Sequence, residues 1–280
     1  MVSMVSEEQR EQYFDQGFFI ADDAIEPDML EQLVAAAERA CAKIRSGAVV
    51  VEADGVKVGG GEEVSDAGNI EGVLAPEYGE PAFAEYLASD PLLDYAKGIQ
   101  GEELRLGWIT LAANPPGYDT GWHRDIGEED RDGSYEEEMA ALARNLTNHC
   151  KWSLALADDP YLLVMPGGHR RYRTDQEREC LVNTKFADIP GQHVVELKKG
   201  QTLFWDGNII HRGRVPEGSP ERRTLRAGLF KYQEGEGIHD LGSRFSWMRA
   251  ANMRAALPAA LQLYYDRWWA VQPPEEEVAR

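Results

Sequence analysis

Apolar residues repeat at a helical spacing near the start of this chain, alternate strictly in its middle, and return to a helical spacing at its end. Leu30, Leu33, Val34, Ala37, Cys41 and Ile44 fall three or four apart, which gathers them on one stripe of a helix. Pro27 stands in the first turn of that helix, where no backbone N–H is required. An earlier helix opens on the capping pair Ser6 and Gln9 and is stopped by Gly17, with a short strand following at 18–21. Residues 49–58 predict a hairpin turning at Asp54-Gly55, and Gly59-Gly60-Gly61 reads as loop. Two short helices, at 81–88 and 91–97, complete the first third.

The central block has a period of two. Leu104, Leu106 and Trp108 alternate with Arg105, Gly107 and Ile109, and Trp152, Leu154 and Leu156 alternate with Ser153, Ala155 and Ala157. Further short strands are expected at 161–164, 193–197, 201–205 and 222–231. Many short strands parted by Gly and Pro turns predict a mainly β fold with flanking helices, a sandwich or barrel. Residues 127–148 interrupt it with a helix at 136–146 whose apolar side carries Met139, Leu142 and Leu146. The end, 245–271, is mostly helical and rich in aromatics that could pack on the barrel or on a second copy.

Composition narrows this picture. Hydrophobic residues make up 43% of the 280, ample for a core, and no polar linker or repeat divides the chain, so a single domain is expected. Its parts would be a mostly helical 1–100, a β core at 101–232 and a helical 233–280. A formal charge of −20 argues against nucleic-acid or anionic-membrane partners. Three scattered cysteines suit a reducing compartment, and with no apolar leader or membrane-length segment the expectation is a cytoplasmic protein, monomer or homodimer.

The chemistry lies in Trp122-His123-Arg124-Asp125. On extended backbone His123 and Asp125 point the same way and can share one ion while Arg124 turns away. A third ligand must come from a strand remote in sequence, and His211 closes the apolar run 202–210. Two imidazoles and one carboxylate are the set that holds non-haem iron(II) on one face. Eleven residues on, Arg222 opens another strand-like run.

In this order the chain resembles the phytanoyl-CoA dioxygenase family of iron(II)/2-oxoglutarate oxygenases. The likeness extends to Gln16-Gly17-Phe18-Phe19-Ile20, to Met165-Pro166-Gly167-Gly168-His169-Arg170 with Gly168 in place of the usual serine, and to the run 199–206. It implies a double-stranded β-helix (a cupin-like jelly roll), Fe(II) held by His123, Asp125 and His211, and O2 and 2-oxoglutarate as co-substrates. It also implies that Arg222 grips the distal carboxylate of 2-oxoglutarate and that Trp152 lines the co-substrate pocket. The implied reaction is hydroxylation of a small-molecule substrate, and Asp125 disfavours halogenation because it leaves no ligand position for halide. The segment 127–148 would then be a lid at the barrel mouth. Two features depart from the family: the link at Asp158-Asp159-Pro160 is short, and Gly213 stands where relatives often carry a serine.

Alternatives stay open at this level. Apolar alternation along 222–231 turns Arg223, not Arg222, inward. The basic cluster His169, Arg170, Arg171, Arg173, Arg178, Arg212 and Arg214 suits either an anionic substrate or ion pairs, whereas the acidic run of Glu128, Glu129, Asp130 and Glu136–Glu138 suits a solvated lid or a cationic substrate. A jelly-roll protein that binds metal or a small acid without turnover is the second reading.

Overall fold

Two antiparallel sheets enclose the interior in the computed structural model, which describes residues 5–52, 55–58, 68–125, 133–145, 150–235 and 247–272. The larger sheet contains β1 (Phe18–Ala21), β4 (Asn69–Glu71), β5 (Leu104–Ala112), β6 (Cys150–Ala155), β9 (Thr202–Asp206) and β11 (Thr224–Lys231). Its strand order is β1-β9-β6-β11-β5-β4. The smaller sheet has β10 (His211–Gly213) beside β7 (Asp159–Val164) beside β8 (His193–Leu197). A separate hairpin pairs β2 (Val49–Glu52) with β3 (Gly55–Val58), as Asp54-Gly55 predicted; residues 53 and 54 lie outside the described residues.

The larger sheet is largely buried on both faces. Cross-strand partners share a face. Trp152 is opposite Phe204 and Ala227, and Leu154 opposite Leu225, and this face packs on a helical layer. That layer includes α2 (Pro27–Arg45), α3 (Ala82–Leu87), α4 (Asp90–Gln100) and α8 (Ala259–Ala270). The other face carries Phe18, Ala155, Leu203 and Trp205, which join Leu162, Val164, Val195 and Leu197 of the smaller sheet in a second core. On β4, β5, β6 and β11 the same interior face is polar: Asn69, Glu71, Thr110, Lys151, Ser153, Thr224 and Arg226. This is the expected mainly β fold with flanking helices.

Three elements differ from the sequence expectation. Strands β4 and β10 are only three residues each, too short to leave a periodic signal. The pair His123 and Asp125 is not on a strand; His123 meets His211 in an isolated bridge. The C-terminal part, expected to be mostly helical, forms α7 (Met253–Ala256) and α8, with Pro258 at the N-cap position of the second. Among the described residues no helix is long and apolar enough to cross a membrane.

The first helix, α1 (Glu7–Gln16), has the predicted capping box and ends on Gly17 at φ 91°. Its last turn is fastened to the Pro-Gly-Gly-His stretch, because the carbonyl of Phe14 accepts from Arg170 Nη1 at 2.9 Å and lies 3.0 Å from His169 Nε2. A Cβ on Gly17 would stand 2.7 Å from His169 Nδ1. Gly17→Ala is therefore expected to destabilise the protein by more than about 1 kcal/mol, through left-handed strain and this collision. An unchanged denaturant midpoint would refute it.

Candidate metal centre

His123 and His211 face each other across two backbone hydrogen bonds, His123 N to His211 O at 3.0 Å and the return bond at 2.9 Å. Each ring is oriented by the carbonyl two residues before it: His123 Nδ1 lies 2.9 Å from Gly121 O, and His211 Nδ1 2.9 Å from Ile209 O. With Nδ1–H donating to those carbonyls, each Nε2 presents a lone pair. Both Nε2 atoms point to Asp125, at 3.9 Å from His123 and 3.7 Å from His211. One ligand atom from each of the three residues falls within 4.8 Å of the others. Burial, and then repulsion by His123, bring the His211 pKa down to about 3, so its imidazole is neutral, the form that binds metal. Burial would raise the Asp125 carboxyl, but Lys151 and the two imidazoles outweigh it and hold the group well below the usual carboxylate range. Two imidazole nitrogens and a carboxylate on one side of a gap are the donor set for iron(II), so the residues present fit the metal.

Lys151 was not legible from the motif. Its ammonium pairs with Asp125 and lies over the rings of Trp108 at 5.2 Å and Trp205 at 5.7 Å. The signal was the alternation in β6, which turns Lys151 and Ser153 opposite to Trp152. That same alternation corrects one expectation. Trp152 is fully buried in the helix-facing core, on the face of β6 turned away from the three ligands, and does not meet them.

Arg222 turns to the same interior side as Thr224 and Arg226. Its Nε and Nη2 both reach Asp159 Oδ2 at 2.9 Å, and the hydroxyl of Thr224 donates to that same oxygen. Arg223 points the opposite way, to Glu38 of α2 at 3.2 Å and to Glu221 at 2.7 Å. Apolar alternation misled here because the apolar side of β11 faces the helices and its polar side the interior. A Cβ on Gly213 would lie 3.3 Å from Arg222 Nη1 and 3.8 Å from Thr120 Oγ1, so the bare glycine lets the guanidinium lie close against the backbone. A cavity of about 570 Å³ opens next to His123, with Tyr118, Thr120, Leu181 and Lys185 in its wall.

Arg124, between the ligands, turns away into a buried network. It pairs with Glu138 of α5 (Tyr135–Asn145) and donates to Gly168 O at 2.8 Å and Arg171 O at 3.1 Å. Arg173 joins the same carboxylate at 2.7 Å. The rest of the basic cluster is also engaged: Arg171 with Glu177, Arg212 with Asp119, and Arg214 with Asp188. Residues 127–132 and 146–148 of the expected lid, including Glu128, Glu129 and Asp130, lie outside the described residues, as do His149 and His239. His169 is buried against α1 and takes no part in the cluster of ligands.

No curated protein sequence matches the chain. The family model for phytanoyl-CoA dioxygenase (PhyH) matches residues 13–224, a span holding all three ligands and Arg222. Among solved structures, EctD from S. alaskensis with 2-oxoglutarate and 5-hydroxyectoine superposes with a TM-score of 0.60 at 19% identity, over 96% of this chain and 88% of that one. AviO1 from Streptomyces viridochromogenes Tue57 gives 0.57 at 19% identity, over 81% and 96%. The non-haem alpha-ketoglutarate-dependent epimerase SnoN from nogalamycin biosynthesis gives 0.53 at 16%, over 80% and 81%. These are likenesses of fold. With its facial set of two histidines and one aspartate, the chain belongs to the phytanoyl-CoA dioxygenase family of iron(II)- and 2-oxoglutarate-dependent oxygenases.

Proposed function

We propose that this oxygenase hydroxylates an unactivated C–H bond of a small organic molecule, one oxygen atom of O2 entering the product and the other succinate. The observation that carries the reading is the set His123, Asp125 and His211, with both rings locked to present Nε2 to one point. Iron(II), 2-oxoglutarate and O2 together supply the oxidation, with succinate and carbon dioxide as co-products.

The chain's own residues do the rest. Asp159 holds the Arg222 guanidinium by Nε and Nη2, so that Nη1 lies against Gly213, outside that pair. That arrangement supports Arg222 as the grip on the distal carboxylate of 2-oxoglutarate, by the fork geometry that suits planar anions. The Thr120 hydroxyl accepts from the Gly213 N–H at 2.9 Å on the same side. The cavity beside His123 receives the substrate, and Trp122 and Leu181 in its wall, part of a buried apolar cluster with Leu163, Met165 and Ile210, limit the access of bulk water. We infer that the chain works as one domain.

Incubation with iron(II), labelled O2 and 2-oxoglutarate tests the reading. Succinate should form, and a product found by screening small molecules should gain one labelled oxygen atom. A product of unchanged mass would mean epimerisation instead, and no succinate under any condition would refute an oxygenase. For the anchor, Arg222→Lys keeps the charge that balances Asp159 but loses the fork. It is expected to raise the KM for 2-oxoglutarate at least about tenfold, a loss of about 1.4 kcal/mol, whereas Arg223→Ala should change it little. The reverse order would move the role to Arg223.

A further inference from the structure

Arg226 lies on the interior face of β11, opposite Ser153 of β6 and Thr110 of β5. Its Nη2 donates to Asn69 Oδ1 at 2.6 Å, while its Nε is shielded from solvent with no partner, in a side chain that is half-buried overall. Among the described residues it forms no ion pair. The nearby carboxylates are engaged elsewhere: Asp125 by Lys151, Glu71 by the Thr110 hydroxyl at 2.7 Å, and Asp159 by Arg222. Burial, and then the like charge of Arg222, both act against its own charge. A guanidinium left this way inside a protein is costly unless an anion completes it. Asn69 also donates through Nδ2 to the Tyr118 hydroxyl at 3.2 Å, and Tyr118 is in the wall of the cavity beside His123. The cation is thus linked by one amide to the space next to the metal ligands.

We propose that Arg226, with Asn69 and Tyr118, is a carboxylate-binding site inside the barrel, separate from Arg222, and that the molecule oxidised here is itself a carboxylic acid. This rests on the oxygenase reading for its second half only. The planar fork of Arg226 offers Nε and a neighbouring Nη to two carboxylate oxygens. Asn69 holds the far side of the fork, and the Tyr118 hydroxyl can donate to the same anion. Because 2-oxoglutarate also carries carboxylates, the test separates the two sources.

Acetate, butyrate and benzoate, with their amides as neutral controls at matched ionic strength, are titrated against the full chain. Manganese(II) and 2-oxoglutarate are saturating, and the readouts are melting temperature and tryptophan fluorescence. At least one carboxylate should raise the melting temperature where its amide does not. Arg226→Met, or Arg226→Gln, which keeps a donor for Asn69, should weaken that response at least about tenfold. The affinity for 2-oxoglutarate is measured in the same variants and in Arg222→Lys. If the Arg226 variants keep 2-oxoglutarate affinity and lose the monocarboxylate response, the carboxylate is the primary substrate's. If they lose 2-oxoglutarate affinity, the site holds the co-substrate, and the carboxylic-acid substrate is refuted. No response in the wild type, or the same response in both variants, overturns the site itself. Should the wild type fail to bind 2-oxoglutarate with manganese, the oxygenase reading fails, and the monocarboxylate titration without 2-oxoglutarate still decides on Arg226.

Discussion

Alanine at His123 or at His211 is expected to abolish metal retention and 2-oxoglutarate turnover while the protein stays folded. The two rings supply two of three protein ligands, each already fixed in one tautomer by a carbonyl 2.9 Å away. Deleting a ring removes the ligand itself, so the loss of metal affinity should exceed the about 10–100-fold that removing a supporting hydrogen bond costs. The melting temperature of the metal-free variants should stay close to that of the metal-free wild type, since the bridge between positions 123 and 211 is made by main-chain groups that alanine keeps. Metal content after dialysis and succinate formation are the measurements. Near-normal metal content in either variant would sink the ligand assignment. Asp125→Gly is expected to keep weak metal binding through the imidazoles but to lose hydroxylation.

Glu138→Ala should be the most damaging single change outside the metal centre. The Glu138 carboxylate is wholly buried and neutralises two buried guanidinium groups, those of Arg124 and Arg173. Removing it takes a buried carboxylate from beside both guanidinium groups, and breaking a buried pair costs about 3–5 kcal/mol. Denaturant unfolding of the metal-free protein measures this directly, and a loss under about 1 kcal/mol would show that water enters the network freely. Since Arg124 sits between two ligands, the variant should also hold metal less well. Glu138 lies in the segment expected to be a lid, and its position shows that α5 is fastened to the ligand-bearing stretch.

The ligands were legible because their chemistry is carried by residue type and order. His-x-Asp, a distal histidine and a following arginine hardly depend on the local backbone, so the isolated bridge that replaced the expected strand did no harm. Long periodic elements such as α2 and β11 were legible for the same reason that they are stable: each buries a continuous face. What stayed hidden depends on which face looks where. In a sheet covered on both sides, alternation separates two sets of residues but does not say which set meets the helices. The resemblance put Trp152 at the co-substrate pocket, and nothing in the alternation singled out Lys151, though they are neighbours in sequence. Asp159 was hidden differently, since a buried partner for an arginine remote in the chain has no local signature. Strands of three residues, β4 and β10, carry too few positions for any period to show.

The bridge between His123 and His211 joins two stretches far apart in the chain, and everything between them must be in place before it closes. Contacts of such long separation form late, after the loop-closure entropy of the intervening strands has been offset by local pairing. A nascent or partly folded chain therefore offers a cation only the loose pair His123 and Asp125, never the complete triangle. Tight metal binding is therefore expected of the finished barrel and not of the unfolded chain.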